Sequence, residues 1–182
     1  MSRVTLLLTQ MDDVYDRLSK RLRGLSDAEY FWQPTGDCWT VHQDRSGRWV
    51  TDYEAPDPEP PPFTTIGWRL VHLGDCKLVY HDWAFGPRTL TFPDLEAPSH
   101  AAEALARLDQ GQALLREDLE RLGDEEMDRP VLTNWGDTWP AWRIFWTMID
   151  HDAHHGGEIG CLRDLLAAAD RLSRTDGQPG RR

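Results

Sequence analysis

The chain has 182 residues, enough for one domain with a substantial core. Its formal net charge is −11, from 31 acidic and 20 basic residues, which disfavours a nucleic-acid or anionic-membrane surface. No apolar run approaches membrane-spanning length, and Met1 to Arg23 is amphipathic and carries acids throughout, so neither a membrane span nor a signal peptide is expected.

Val4, Leu7, Leu8, Met11, Tyr15, Leu18 and Leu22 recur at helical spacing and predict a first helix from about residue 2 to Gly24, a natural stop. Ser26-Asp27-Ala28-Glu29 has the form of a capping box, for a short helix carrying Tyr30, Phe31 and Trp32 that Pro34 closes. Residues 36–62 break the helical pattern. Cys38 to His42 and Arg48 to Tyr53 alternate well enough for two short strands around the turn Asp44-Arg45-Ser46-Gly47. Ala55 to Pro62, with proline at 56, 58, 60, 61 and 62, is neither helix nor central strand and is expected as extended surface loop. An insertion of this length between helices reads as a lid or pocket wall, with a passive loop as the other reading.

Thr64 or Thr65 caps a second long helix running to about Phe85-Gly86. Its face Trp68, His72, Cys76, Val79 and Trp83 places His72 among apolar neighbours, whereas scattered acids such as Asp75 and Asp82 read as solvated. A third helix starts at Pro98-Ser99 and ends at Gly123. Leu105, Leu108, Leu115, Leu119 and Leu122 form its buried seam, with Glu103, Arg107, Glu117 and Arg121 outside. Asp124 to Pro140 is a connector containing Trp135 and Trp139. Nine tryptophans are many for this length, and some are expected to line a pocket. Pro140 suits the first turn of a fourth long helix reaching about Leu172, and residues 173–182 read as a disordered end. The prediction is therefore all-α: a four-helix bundle over residues 1–172, with a long irregular and β-hairpin insertion between helices one and two.

The last helix carries Asp150-His151-Asp152-Ala153-His154-His155-Gly156-Gly157-Glu158-Ile159. His151 and His155 share one helix face, with Ile144, Met148, Ile159 and Leu162 suggesting that this face looks inward. Two imidazoles at that spacing can hold a divalent ion, although seven histidines in the chain also allow a coincidental alignment. Bundle metal sites are built from facing helices, so His72 is a natural third partner; as a lone residue it would read as a satisfied core histidine. Three neutral imidazoles leave a coordination position open, as catalytic sites do. His154 could replace His155, being i+3 from His151. Cys76, one turn from His72, is either a fourth ligand or a buried apolar thiol. Cys38, Cys76 and Cys161 are odd in number without CxxC spacing, which fits reduced thiols and an expected cytoplasmic location. Asp152 points off the ligand face and reads as solvated, and the pair lacks the His-Glu-x-x-His pattern of a peptidase.

Trp68-Arg69-Leu70-Val71-His72-Leu73, followed far downstream by His151-x-x-x-His155-x-Gly157-Glu158, resembles the DinB superfamily, whose relatives include bacillithiol S-transferases and mycothiol-dependent maleylpyruvate isomerases. The resemblance runs from helix one to about residue 170. It implies an up-down-down-up bundle, often a homodimer, that binds zinc, nickel or a similar divalent ion through His72, His151 and His155. Glu158 departs from the pattern, since many relatives would have Gln there; the acid could accept a hydrogen bond from a ligand histidine, tune a metal-held water, or lie at the surface. The resemblance further implies a low-molecular-weight thiol cofactor, deprotonated by the metal, acting as S-transferase or isomerase on a small electrophilic molecule. Two other readings stand beside it: a metal-dependent hydrolase, and a non-enzymatic metal- or ligand-binding bundle with a stress-related role.

Overall fold

The structure is a computed structural model that describes residues 1–56 and 58–176. Helix α1 spans Arg3–Leu22, opened by Ser2, whose Oγ accepts from Thr5 N at 3.1 Å. It buries Leu7, Met11, Val14, Leu18 and Leu22, the stripe that its periodicity predicts. The expected capping box forms at Ser26 and Glu29 and starts the one-turn helix α2, Asp27–Tyr30. Strands β1 (Val41–Gln43) and β2 (Trp49–Thr51) pair antiparallel about the Asp44–Gly47 turn, with His42 opposite Val50. Thr65 then caps α3, Ile66–Phe85, by accepting from Trp68 N at 3.2 Å. The insertion is tied to this helix start: Trp39 N donates to Phe63 O at 2.8 Å, and Thr65 N to Trp39 O at 2.9 Å.

Helix α4 spans Ala101–Arg121 and buries Leu108, Leu115 and Leu119 of its predicted seam. The connector that follows is more ordered than its sequence suggests. It folds a second hairpin, β3 (Pro130–Leu132) with β4 (Thr138–Pro140), turning at Gly136 with φ +93°. Helix α5 then runs from Ala141 to Asp176, four residues beyond the expected stop at Leu172. The part of the expected disordered end at residues 177–182 lies outside the described residues.

Cross-helix contacts fix the topology. Asp75 meets Arg107, Lys77 meets Gln112 and His81 meets Asp118, so α3 and α4 run parallel. Their approach is close: a Cβ on Gly111 would stand 2.6 Å from Lys77 Cβ. Arg21 bonds Gly160 O and Asp164, and Gly156 packs on Leu18, so α1 and α5 are also parallel. His72 beside His151 and Phe85 stacked on Phe145 make α3 and α5 antiparallel. Tyr15 beside Asp109 and Arg116 beside Asp12 do the same for α1 and α4. The bundle is thus up-down-down-up, and the parallel pair α3–α4 explains why the connection between them, residues 86–100, must return along the bundle.

The core divides into two apolar clusters. One holds Leu18, Tyr30, Ile66, Leu70, Leu73 and Leu108; the other holds Met11, Leu115, Leu119, Met127, Phe145 and Met148. Polar groups reach the interior near the level where these clusters meet, and three acids depart from the expected solvated faces. Asp152 is 2% exposed and pairs with Lys77, itself 1% exposed, at 2.7 Å, while Gln112 Oε1 takes a second Lys77 proton at 2.9 Å. Asp75 is buried against Arg107, whose side chain is correspondingly half-buried and not outside. Asp82 is buried because Oδ2 accepts from Thr89 N at 2.7 Å and Leu90 N at 2.9 Å, closing the chain as it leaves α3. Asp75 and Asp82 are buried because most of α3 is covered, whereas Asp152 stands on α5 and turns inward to Lys77 of α3.

Candidate metal centre

Helices α3 and α5 bring His72, His151 and His155 together. The ring centroids are 4.7 Å apart for His72–His151, 4.7 Å for His151–His155 and 5.2 Å for His72–His155. The His151–His155 pair follows from one turn of α5; the His72 contacts follow from the antiparallel packing of α3 on α5. His72 Nε2 and His151 Nε2 face each other at 2.9 Å. Two nitrogens bound to one tetrahedral ion at about 2.0–2.1 Å would lie about 3.3 Å apart, so the observed spacing is within a few tenths of an ångström of a shared-ligand geometry.

Neighbours hold two of the rings in orientation. Trp68 stacks on His72 with centroids 4.9 Å apart, and its own indole Nε1 is fixed by donation to Asp52 O at 2.7 Å. The insertion therefore steadies His72 through Trp68. On α5, His155 Nδ1 donates to Glu158 Oε2 at 2.6 Å, which leaves Nε2 with its lone pair. Arg69 pairs with the same Glu158 oxygen. Of the three roles open to Glu158, the structure displays the hydrogen bond to a histidine. No motif singles out Arg69, although it lies three residues before His72 and so shares its side of α3.

Electrostatics keep the histidines neutral. Burial pushes the His72 pKa down to about 4, helped by His155 and Arg69. Burial pushes that of His151 further, to about 2, with His72 and His155 adding to it. His155 is lowered too, by burial, against the opposing pull of Glu158. Burial alone would raise the Glu158 carboxyl; the bonds from Arg69 and His155 reverse this and hold it below its ordinary value. Neutral imidazole is the form that ligates a metal, so the donor set is compatible with a divalent cation.

The rival ligands are placed differently. His154 is exposed and lies 3.5 Å from Glu158 Oε1, making a second loose cluster with His155 and Glu158 at the surface. Cys76 Sγ is 3.7 Å from His72 Nδ1, and Cys76 forms a possible metal-holding group with His72 and His151. Burial drives its thiol pKa up to about 12. Asp152 neighbours His151 in sequence but turns about 100° away round the helix, into its bond with Lys77.

A cavity of about 600 Å³ opens beside this cluster, walled by β2, α3 and the segment between α3 and α4, with His72 in its wall. The expectation that the insertion forms a pocket wall is met by Val50, Thr51, Asp52 and Tyr53, and of the nine tryptophans Trp68 lines it. Among the described residues no helix is long and apolar enough to cross a membrane. No curated protein matches the chain. The sequence profile of the DinB superfamily matches residues 10–159, from α1 through all three clustered histidines to just past Glu158. With most of its length so matched, and the up-down-down-up bundle in place, the chain belongs to the DinB superfamily.

Proposed function

We propose that the chain is a metal-dependent enzyme that activates a low-molecular-weight thiol and uses it to transfer to, or isomerise, a small electrophilic molecule. The observation that carries this reading is the convergence of three half-buried, neutral imidazoles from two helices beside a cavity. His72, His151 and His155 would hold the metal, zinc or nickel by donor type, each through Nε2. His155 is favoured over Cys76 as the third ligand for a geometric reason. Cys76 lies at His72 Nδ1, whereas His151 lies at His72 Nε2, and the lone pairs of the two ring nitrogens diverge. Cys76 then serves as the neighbour of Nδ1, and Glu158 as the acceptor that orients His155.

When bound, a divalent cation would supply Lewis acidity that keeps a thiol deprotonated near neutral pH. The protein residues supply the rest. Trp68 and Glu158 lock two ligand rings, burial keeps all three unprotonated, and the cavity wall displaces water from the electrophile. In a transfer, the sulfur–carbon bond forms as the leaving group departs with its electron pair, and the thiol proton passes to solvent.

The test begins with elemental analysis of the chain purified without an affinity tag. The zinc-loaded chain is then compared with the metal-free chain for coupling of cysteine-derived thiols to monochlorobimane. Stoichiometric metal and a metal-dependent rate are expected. A chain that takes up no divalent ion, or a rate indifferent to metal removal, would overturn the reading.

A further inference from the structure

The cavity carries more information than its position. Its wall is mostly apolar, with Val50, Val71, Phe92 and Leu95 around the Trp68 ring. Trp68, His72 and Asp75 stand on one face of α3 at i, i+4 and i+7, so an occupant lying along the helix meets them in that order. At 1.5 Å per residue the stripe is about 10 Å long, with His72 near its middle. Three residues of the wall carry formal charge: Arg48, Asp52 and Asp75. Asp52 is engaged, Oδ2 accepting from Thr40 N at 2.7 Å. Arg48 is exposed and tied to Pro93 O at 2.6 Å. Asp75 is buried, and Arg107 takes its Oδ1 at 2.8 Å. Arg107 is not part of the wall, so Asp75 is the buried charge an occupant meets, and it acts more strongly than Arg48 at the solvent edge.

We propose that this cavity is the substrate pocket and that it selects an elongated molecule with an apolar body and a hydrogen-bond-donating pole, ammonium or hydroxyl, which meets Asp75 while the middle of the molecule lies over His72. The same carboxylate rejects occupants with a carboxylate at that end. The position of the reacting atom rests on the reading of His72 as a metal ligand; the selectivity of the pocket does not. Burial raises the Asp75 pKa to about 6, with Arg107 opposing the rise, so the carboxyl is ionised at pH 7.5.

Two probes with one skeleton separate the possibilities: 4-phenylbutylamine and 4-phenylbutyrate, titrated calorimetrically into the metal-free chain at pH 7.5. The amine is expected to bind at least about tenfold more tightly than the acid, since a hydrogen bond to a charged group is worth that much or more. Asp75→Asn should erase the preference. Val50→Trp, which fills the cavity from the hairpin side, should abolish binding of both probes while the helical circular dichroism persists. Equal affinities, tighter binding of the acid, or unchanged binding in Val50→Trp would overturn the proposal, and the last of these remains decisive if Asp75→Asn fails to fold. Because no metal is present, the outcome is independent of the metal reading: a chain that binds the amine but no metal keeps the pocket and loses the enzyme.

Discussion

Two polar constellations sit side by side inside the bundle, one fully buried around Lys77 and one half-buried around His151, and they solve the problem of burial in opposite ways. Lys77 and Asp152 bury full charges and match them, and Gln112 adds a neutral acceptor, with bonds of 2.7 and 2.9 Å to the lysine. His72, His151 and His155 bury groups that surrender their charge instead, their pKa values pushed down by burial. The first cluster is closed at its cation, which already has anionic and neutral acceptors, while Asp152 Oδ1 is buried without a hydrogen-bond partner. The second is open, because neutral imidazoles keep lone pairs that can still accept a cation. The contrast teaches why adjacent residues on one helix, His151 and Asp152, take different roles. A charge can be buried only with its partner, whereas a neutral base can be buried and still accept a cation.

The largest effect is expected from breaking the closed cluster. Lys77→Met leaves the Asp152 carboxylate buried without its cation, which should cost about 3–5 kcal/mol of folding free energy. Urea unfolding of the metal-free chain measures it. Lys77→Met combined with Asp152→Leu should recover most of that loss, because a matched apolar pair needs no counter-charge. A single variant within about 1 kcal/mol of the parent would show that the pair contributes little.

Breaking the open cluster should do the reverse. His151→Ala should abolish metal uptake yet leave the bundle folded, with a stability change on the order of 1 kcal/mol. His151 Nδ1 is buried without a hydrogen-bond partner, so its removal forfeits no bond on that side. Metal content and circular dichroism measured on the same sample decide the matter. Retained metal would move the site to the His72–Cys76 side or to the surface cluster with His154, and loss of the fold would mark the histidines as structural.

The same contrast explains what could be read from the sequence. Helices α1 and α4 announce themselves because one face of each meets solvent, giving a clear 3.6-residue stripe. The histidine pair was legible as i, i+4 spacing, and His72 as a histidine on a facing helix. Lys77–Asp152 was not legible, because 75 residues separate the partners and nothing local marks either as buried. Helix α3 hides its charges in the same way: Asp75 and Asp82 look solvated until the packing of α4 and the loop after α3 is known. The β3–β4 hairpin escaped for another reason. Its strands are three residues each, too short for an alternation to register, and its turn is signalled only by Asn134 and Gly136 flanking Trp135.

A gentler change sharpens the open cluster. Glu158→Gln keeps the size of the side chain and an oxygen that can accept from His155 Nδ1, but removes the charge that binds Arg69. Metal affinity should fall about 10–100-fold, the usual consequence of weakening a bond that orients a ligand. Competition with a chelator of known affinity gives the number. An affinity equal to the parent's would mean that α5 alone holds His155 in place.

His81 offers the smallest effect and the cleanest control, since it is a histidine treated like Lys77 and not like the cluster. Its Nδ1 lies 2.5 Å from Asp118 Oδ2, and this hydrogen bond raises its pKa, with burial opposing. A raised folded-state pKa means that the folded chain holds the proton more tightly than the unfolded chain does. The resulting stability is fully present below the unfolded value of about 6.5 and is lost as pH rises through the folded value. His81 is partly exposed, so the contribution should stay within about 1 kcal/mol. The parent should therefore be more stable than His81→Gln at pH 6, and the gap should close by about pH 9, above the usual range for a paired histidine. Urea unfolding at both pH values checks this on the metal-free chain. A gap that widened with pH would mean that His81 is buried neutral after all, as the three clustered histidines are.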